Sequence, residues 1–141
     1  MGAAASVLIV EDFAPYRAYI ASLLKGYPKL KVVDEASEGL QAVEKARYWK
    51  PDVIFMDIGL PLLNGIEAAQ RIREVSPHSQ IVFLSQDTSP ELVEKAIELG
   101  ASGYVFKSEA ERNLFAAIDA VLDGRQFFSG HPDLGFPENP C

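Results

Sequence analysis

Apolar residues in this chain fall into short unbroken runs that alternate with longer stretches of helical period. Val7-Leu8-Ile9-Val10, Val53-Ile54-Phe55-Met56, Ile81-Val82-Phe83-Leu84 and Tyr104-Val105-Phe106 are continuous and flanked by turn formers, the pattern of strands covered on both faces. Leu30, Val32 and Val33 mark a shorter strand that ends at Asp34 and Glu35. Between the runs the period changes to that of a helix. Phe13 to Lys25 carries Pro15 in its first turn, sets Tyr16, Ile20, Leu23 and Leu24 on one face, and stops at Gly26. A second helix is expected from Ser37 to about Trp49, through Leu40, Val43 and Ala46. Asn64 and Glu67 have capping-box spacing ahead of Ile66, Ala69 and Ile72, with Pro77 as the stop. Ser89-Pro90 opens a fourth helix on Val93, Ala96 and Ile97 that ends at Gly100. Ser108 with Glu111 caps a fifth through Leu114, Ile118, Val121 and Leu122.

Strands that alternate with helices through loops this short predict an α/β fold, a doubly wound parallel sheet with helices on both faces. Right-handed crossovers bring every strand's carboxyl end to one edge. On that expectation Glu11 and Asp12 after the first strand, Asp57 after the third, Ser85 after the fourth and Lys107 after the fifth share one rim. Open α/β sheets bind their ligands at that edge.

Composition narrows the field. A chain of 141 residues, 48% hydrophobic and 23% charged, suits a single globular domain. Its net charge of -7, with Lys and Arg scattered along the chain, argues against direct DNA binding. Cys141 is the single cysteine, so neither a disulfide framework nor a thiolate metal site is expected, and a cytoplasmic location follows. No apolar run reaches membrane-spanning length. His78 and His131 lack ligand partners at useful spacing and read as surface residues. Residues 1–5 read as a disordered leader, 6–126 as the domain, and 127–141, with Pro132, Pro137 and Pro140, as a linker or disordered tail.

The rim residues define a chemistry. Carboxylates brought within a few ångströms repel one another and need a counter-charge. Lys107 supplies one positive charge, and a hard divalent cation such as Mg2+, which takes oxygen ligands and retains several waters, supplies two. Such a site stabilises a phosphoryl group in transit, with Asp57 as the carboxylate nucleophile and Ser85 as a donor to one phosphoryl oxygen. Each residue also has an ordinary reading: Asp57 as a loop cap, Ser85 as a strand-end cap, Lys107 as a solvated lysine and Tyr104 as a packing aromatic.

From about Ser6 to Gln126 the chain resembles the receiver domain of two-component response regulators. The resemblance is carried by Val7-Leu8-Ile9-Val10-Glu11-Asp12, by Phe55-Met56-Asp57 with Pro61 and Gly65, by Ser85, and by Gly103-Tyr104-Val105-Phe106-Lys107. It implies a flavodoxin-like five-stranded sheet of order 2-1-3-4-5. It also implies that Asp57 takes phosphate from a sensor histidine kinase, with Mg2+ held by Glu11, Asp12, Asp57 and the Gly59 carbonyl. Ser85 and Lys107 then contact the phosphoryl group, and Tyr104 rotates inward behind Ser85. The switched surface would be the face of the fourth helix, last strand and last helix, a candidate for homodimerisation. No enzyme activity is expected beyond self-catalysed phosphorylation and autodephosphorylation.

Gly124-Arg125-Gln126-Phe127-Phe128-Ser129-Gly130 resembles the end of receivers that precede a helix-turn-helix output domain, and an output domain or partner outside this chain is expected. Some positions depart from the family's pattern. Gln86 is bulkier than the small residue usual there, and Gly59, Gln86 and Asp87 are expected to modulate the phosphate's lifetime. Ser108 stands where many members have proline, so the cis Lys107–Ser108 bond that the family's geometry would suggest lacks proline's support and needs other contacts to hold it. Two other classes compete. An aspartyl-phosphate hydrolase of the haloacid dehalogenase type needs a second acid where Gly59 stands, and a degenerate receiver would act only as an interaction scaffold.

Overall fold

The computed structural model describes residues 4–130. The chain divides into two compact units between Ile81 and Val82. The leader residues 1–3 and the tail residues 131–141, with His131 and Cys141, lie outside the described residues.

The first unit is built on three strands. β1 (Ala5–Val10) lies between β2 (Leu30–Ala36) and β3 (Val53–Met56), parallel to both. Val7 to Val10 and Val53 to Met56 are almost entirely shielded from solvent, as continuous apolar runs require. β2 is longer than its apolar residues suggested, because Asp34 and Glu35 pair with Leu8 and Ile9 instead of ending the strand. A register shift opposite Val7/Leu8 accommodates the extra residue. Ala5, assigned to the leader from sequence, begins β1 and donates its N–H to the Lys29 carbonyl at 2.8 Å.

Three helices complete this unit: α1 (Ala14–Lys25), α2 (Gly39–Trp49) and α3 (Gly65–Val75). α1 buries Ile20 and Leu24 and ends at Gly26, as read from sequence. α2 starts two residues later than Ser37, because the Glu38 carboxylate accepts the Leu40 and Gln41 N–H groups and so acts as the cap. α3 is capped by Asn64, whose Oδ1 accepts the Glu67 N–H at 3.0 Å. Trp49 is the last residue of α2. Its indole N–H donates to Asp34 Oδ2 at 2.9 Å, and its ring meets Tyr48 edge-on.

The second unit carries β4 (Gln80–Ser85, whose first two residues precede the division), α4 (Pro90–Glu98), β5 (Gly103–Phe106), α5 (Ala110–Leu122) and β6 (Phe127–Phe128). β5 lies between β4 and β6 and is parallel to both. Ser89 caps α4, with Pro90 in its first turn. The sequence expectation fails at three places here. Lys107–Glu109 forms a turn of 3-10 helix, so α5 begins at Ala110 and Ser108 makes no cap. The chain runs directly from β5 into that turn, and the described residues contain no cis peptide bond, so Lys107–Ser108 is trans. The described strands number six, not five, because Phe127–Phe128 adds β6 where a linker was expected. Phe128 is fully buried, which explains why so short a segment holds its place. No helix among the described residues is long and apolar enough to cross a membrane.

Candidate functional site

Glu11, Asp12 and Asp57 come together in the first unit, with one carboxylate oxygen from each within 4.8 Å of the other two. The parallel pairing of β1 with β3 produces this meeting. Val10 and Met56 are register partners, so the residues that follow them emerge side by side. The Asp57 N–H closes the pair by donating to the Val10 carbonyl at 3.0 Å. Their exposures are graded: Glu11 is 3% exposed, Asp57 is half-buried and Asp12 is exposed.

Glu11 is fixed at several atoms. Its N–H donates to the Ala36 carbonyl at 2.9 Å, and its Oε2 accepts the Phe13 N–H at 3.0 Å. Its own carbonyl accepts from Arg17 Nη1 at 2.7 Å, while Arg17 Nε donates to Glu35 Oε1 at 3.1 Å. Arg17 was missed in the sequence, where nothing marks a side chain that binds a main-chain carbonyl. Tyr16, one residue earlier, feels the same acids. Burial first, then the charges of Tyr19, Glu11 and Asp57, push its phenol up to about 12.

The loop after Asp57 is shaped by a close approach. The Gly65 N–H donates to the Ile58 carbonyl at 2.7 Å, and a methyl group at Gly65 would overlap the Asp57 carbonyl. Gly65 is therefore required by space, since its Cα packs against the residue that carries the central carboxylate. Gly59 is the opposite case. It is exposed, and a β-carbon there would meet nothing within 4 Å.

Ser85, Gln86, Asp87, Tyr104 and Lys107 belong to the second unit. Ser85 ends β4 in register with Phe106, the residue before Lys107. Ser85 is buried, and its Oγ accepts the Asp87 N–H at 3.0 Å. Tyr104 is fully buried between Phe83 and Phe106, with its hydroxyl donating to the Asp87 carbonyl at 2.7 Å. The exposed Asp87 carboxylate accepts the Ser89 N–H at 2.9 Å, a bond that holds its pKa below the usual carboxylate value. Lys107 is half-buried at the start of the 3-10 turn.

The donor set of the first unit consists of hard oxygens with excess negative charge, which fits a small divalent cation better than a soft metal.

Residues 7–119 match the response regulator receiver domain. This chain belongs to that family. It is 38% identical over 130 residues to protein-glutamate methylesterase/protein-glutamine glutaminase 1 of Methanosarcina acetivorans, a match covering 90% of the chain and 37% of that protein. It is 33% identical over 125 residues to the nitrate/nitrite response regulator protein NarL of Escherichia coli, covering 89% of the chain and 58% of NarL. A two-component response regulator of the LuxR family from Aurantimonas sp. SI85-9A1 superposes with a TM-score of 0.86 at 34% identity, covering 91% of each chain. The receiver thus has a flavodoxin-like α/β fold with a parallel sheet and helices. The matched stretches span about a third to three fifths of the curated relatives' lengths.

Proposed function

We propose that this receiver is a phosphoacceptor of a two-component phosphorelay. A sensor histidine kinase presents its phosphohistidine, an Asp57 carboxylate oxygen attacks phosphorus, the P–N bond breaks, and the electron pair leaves with the imidazole nitrogen. The product is an acyl phosphate on Asp57. The observation that carries this reading is the approach of three carboxylates to within 4.8 Å in a chain of the receiver family.

Glu11, Asp12, Asp57 and the Gly59 carbonyl are the ligands we assign to Mg2+. Bound there, Mg2+ would neutralise the acids and the charge on the transferring phosphoryl oxygens. Asp12 is the exposed ligand and Glu11 the buried one, held by the Phe13 N–H. Ser85 and Lys107 are assigned to the phosphoryl oxygens, on the support of the family resemblance and their strand-end positions. Gly59, Gln86 and Asp87 are assigned to the phosphate's lifetime. Gly59 leaves its side of the loop open, which favours attack by water.

Within the second unit, Ser85 and Tyr104 are the proposed switch pair, and α4, β5 and α5 form the face whose shape they change. A homodimer through that face, an output domain or target outside this chain, no direct DNA contact by the chain itself, and a cytoplasmic location complete the proposal. The test is incubation with acetyl phosphate and Mg2+ followed by intact mass, on this chain and on Asp57→Asn. One phosphoryl addition in the first and none in the second is expected. No addition in either would leave an interaction scaffold.

A further inference from the structure

The strongest polar feature next to the acid trio is one that the phosphoacceptor chemistry does not use. Arg17, in the first turns of α1, spans two groups at once. Its Nη1 donates to the Glu11 carbonyl at 2.7 Å, and its Nε donates to Glu35 Oε1 at 3.1 Å. The carbonyl it holds belongs to the peptide plane that joins Glu11 to Asp12. Without the guanidinium that plane is restrained by the Glu11 N–H bond to Ala36 on one side and the Phe13 N–H bond to the Glu11 carboxylate on the other. With it, the link between the two carboxylate-bearing residues is fixed directly.

We propose that Arg17 is a positioning residue for a divalent cation at Glu11, Asp12 and Asp57, with Glu35 as the anchor that aims its guanidinium. This inference rests on the phosphoacceptor reading above, because it presumes that the trio takes Mg2+. The Arg17–Glu35 pair is partly exposed, at 22% and 42% of the side chains, and pairs of that kind add little stability. What the planar fork supplies is direction, since two of its donors are aimed from one rigid group. Metal sites depend on groups of this sort, which touch the ligand residues and not the ion.

The proposal makes a prediction of unusual sign. The Arg17 charge by itself repels a cation, so removing it on purely electrostatic grounds would tighten Mg2+ binding. Positioning demands the opposite. Mg2+ titrations followed by the amide resonances of residues 10–13 and 57–59, with no phosphodonor present, distinguish the two. Arg17→Met, neutral and of similar length, is expected to raise the half-saturating Mg2+ concentration about tenfold. Arg17→Lys keeps the charge but loses the fork, and is expected to raise it by a smaller factor. Loss of acetyl phosphate labelling in either variant should be recovered by adding Mg2+.

Equal or tighter Mg2+ binding by Arg17→Met overturns the proposal. Should that variant not fold, unchanged binding by Arg17→Lys overturns it equally. If the wild-type chain itself neither binds Mg2+ nor gains phosphoryl mass, the phosphoacceptor reading falls. If it does both and the Arg17 variants match it, the positioning role alone falls.

Discussion

The Tyr104 hydroxyl donates to the main-chain carbonyl of Asp87 at 2.7 Å. The same residue's N–H donates to Ser85 Oγ, so Asp87 joins the two side chains assigned to the switch through its backbone alone. Its carboxylate meanwhile caps the turn into α4 through the Ser89 N–H. Tyr104 is thus a buried strut beneath the loop from β4 to α4.

Tyr104→Phe keeps the ring and removes the donor. The expected cost is about 1 kcal/mol, a few degrees in melting temperature, with faster amide exchange at Asp87 and Ser89. Thermal unfolding and hydrogen exchange measure both. Unchanged exchange in that loop would show that Tyr104 supports it by packing alone.

Gly65→Ala places a methyl group against the Asp57 carbonyl. Overpacking of this kind costs about 1–3 kcal/mol, and the shift it forces falls on the residue that bears the central carboxylate. Slower labelling by acetyl phosphate, together with a lower melting temperature, is the expected result.

Asp34 is held below the ordinary carboxylate pKa. Burial pushes it up, but hydrogen bonds from Trp49, the Glu35 N–H and Lys45, with the Lys45 charge, outweigh that. A carboxyl with a lowered folded-state pKa contributes stability above its unfolded value of 3.8, lost as pH falls through the folded value. Asp34→Asn should therefore cost about 1 kcal/mol near neutral pH. The gap to wild type should narrow as the melts are taken below pH 3.8.

The apolar runs exposed four of the strands because they are buried on both faces, and the acids that follow β1 and β3 exposed the carboxylate cluster. Asp57 is legible as a carboxylate that interrupts such a run, and Gly65 as part of a motif, although its contact with the Asp57 carbonyl is not. Arg17 left no trace, since binding a carbonyl requires no partner side chain at a readable spacing. Ser108 misled because a serine followed at capping distance by Glu111 has the form of a cap, whereas the backbone there winds as a 3-10 turn. β6 was hidden by its length: two phenylalanines between Gly124 and Gly130 carry no periodicity.

Phe128 is expected to hold β6 in place. Phe128→Ala should cost about 3–5 kcal/mol, the range for emptying a buried aromatic site. Denaturant unfolding of the variant checks the magnitude, and a loss below about 1 kcal/mol would mean that β6 contributes little to the fold.

Beyond β6, the Ser129 N–H donates to the Tyr104 carbonyl at 2.8 Å and its hydroxyl accepts the Phe106 N–H at 3.4 Å. Ser129 is therefore clipped to the backbone of β5 on either side of Val105. Both bonds go to the main chain of that strand, while the side chains of Arg125 and Gln126 are exposed. Any rearrangement of β5 would carry Ser129 and β6 with it, much as a door follows its hinge pin.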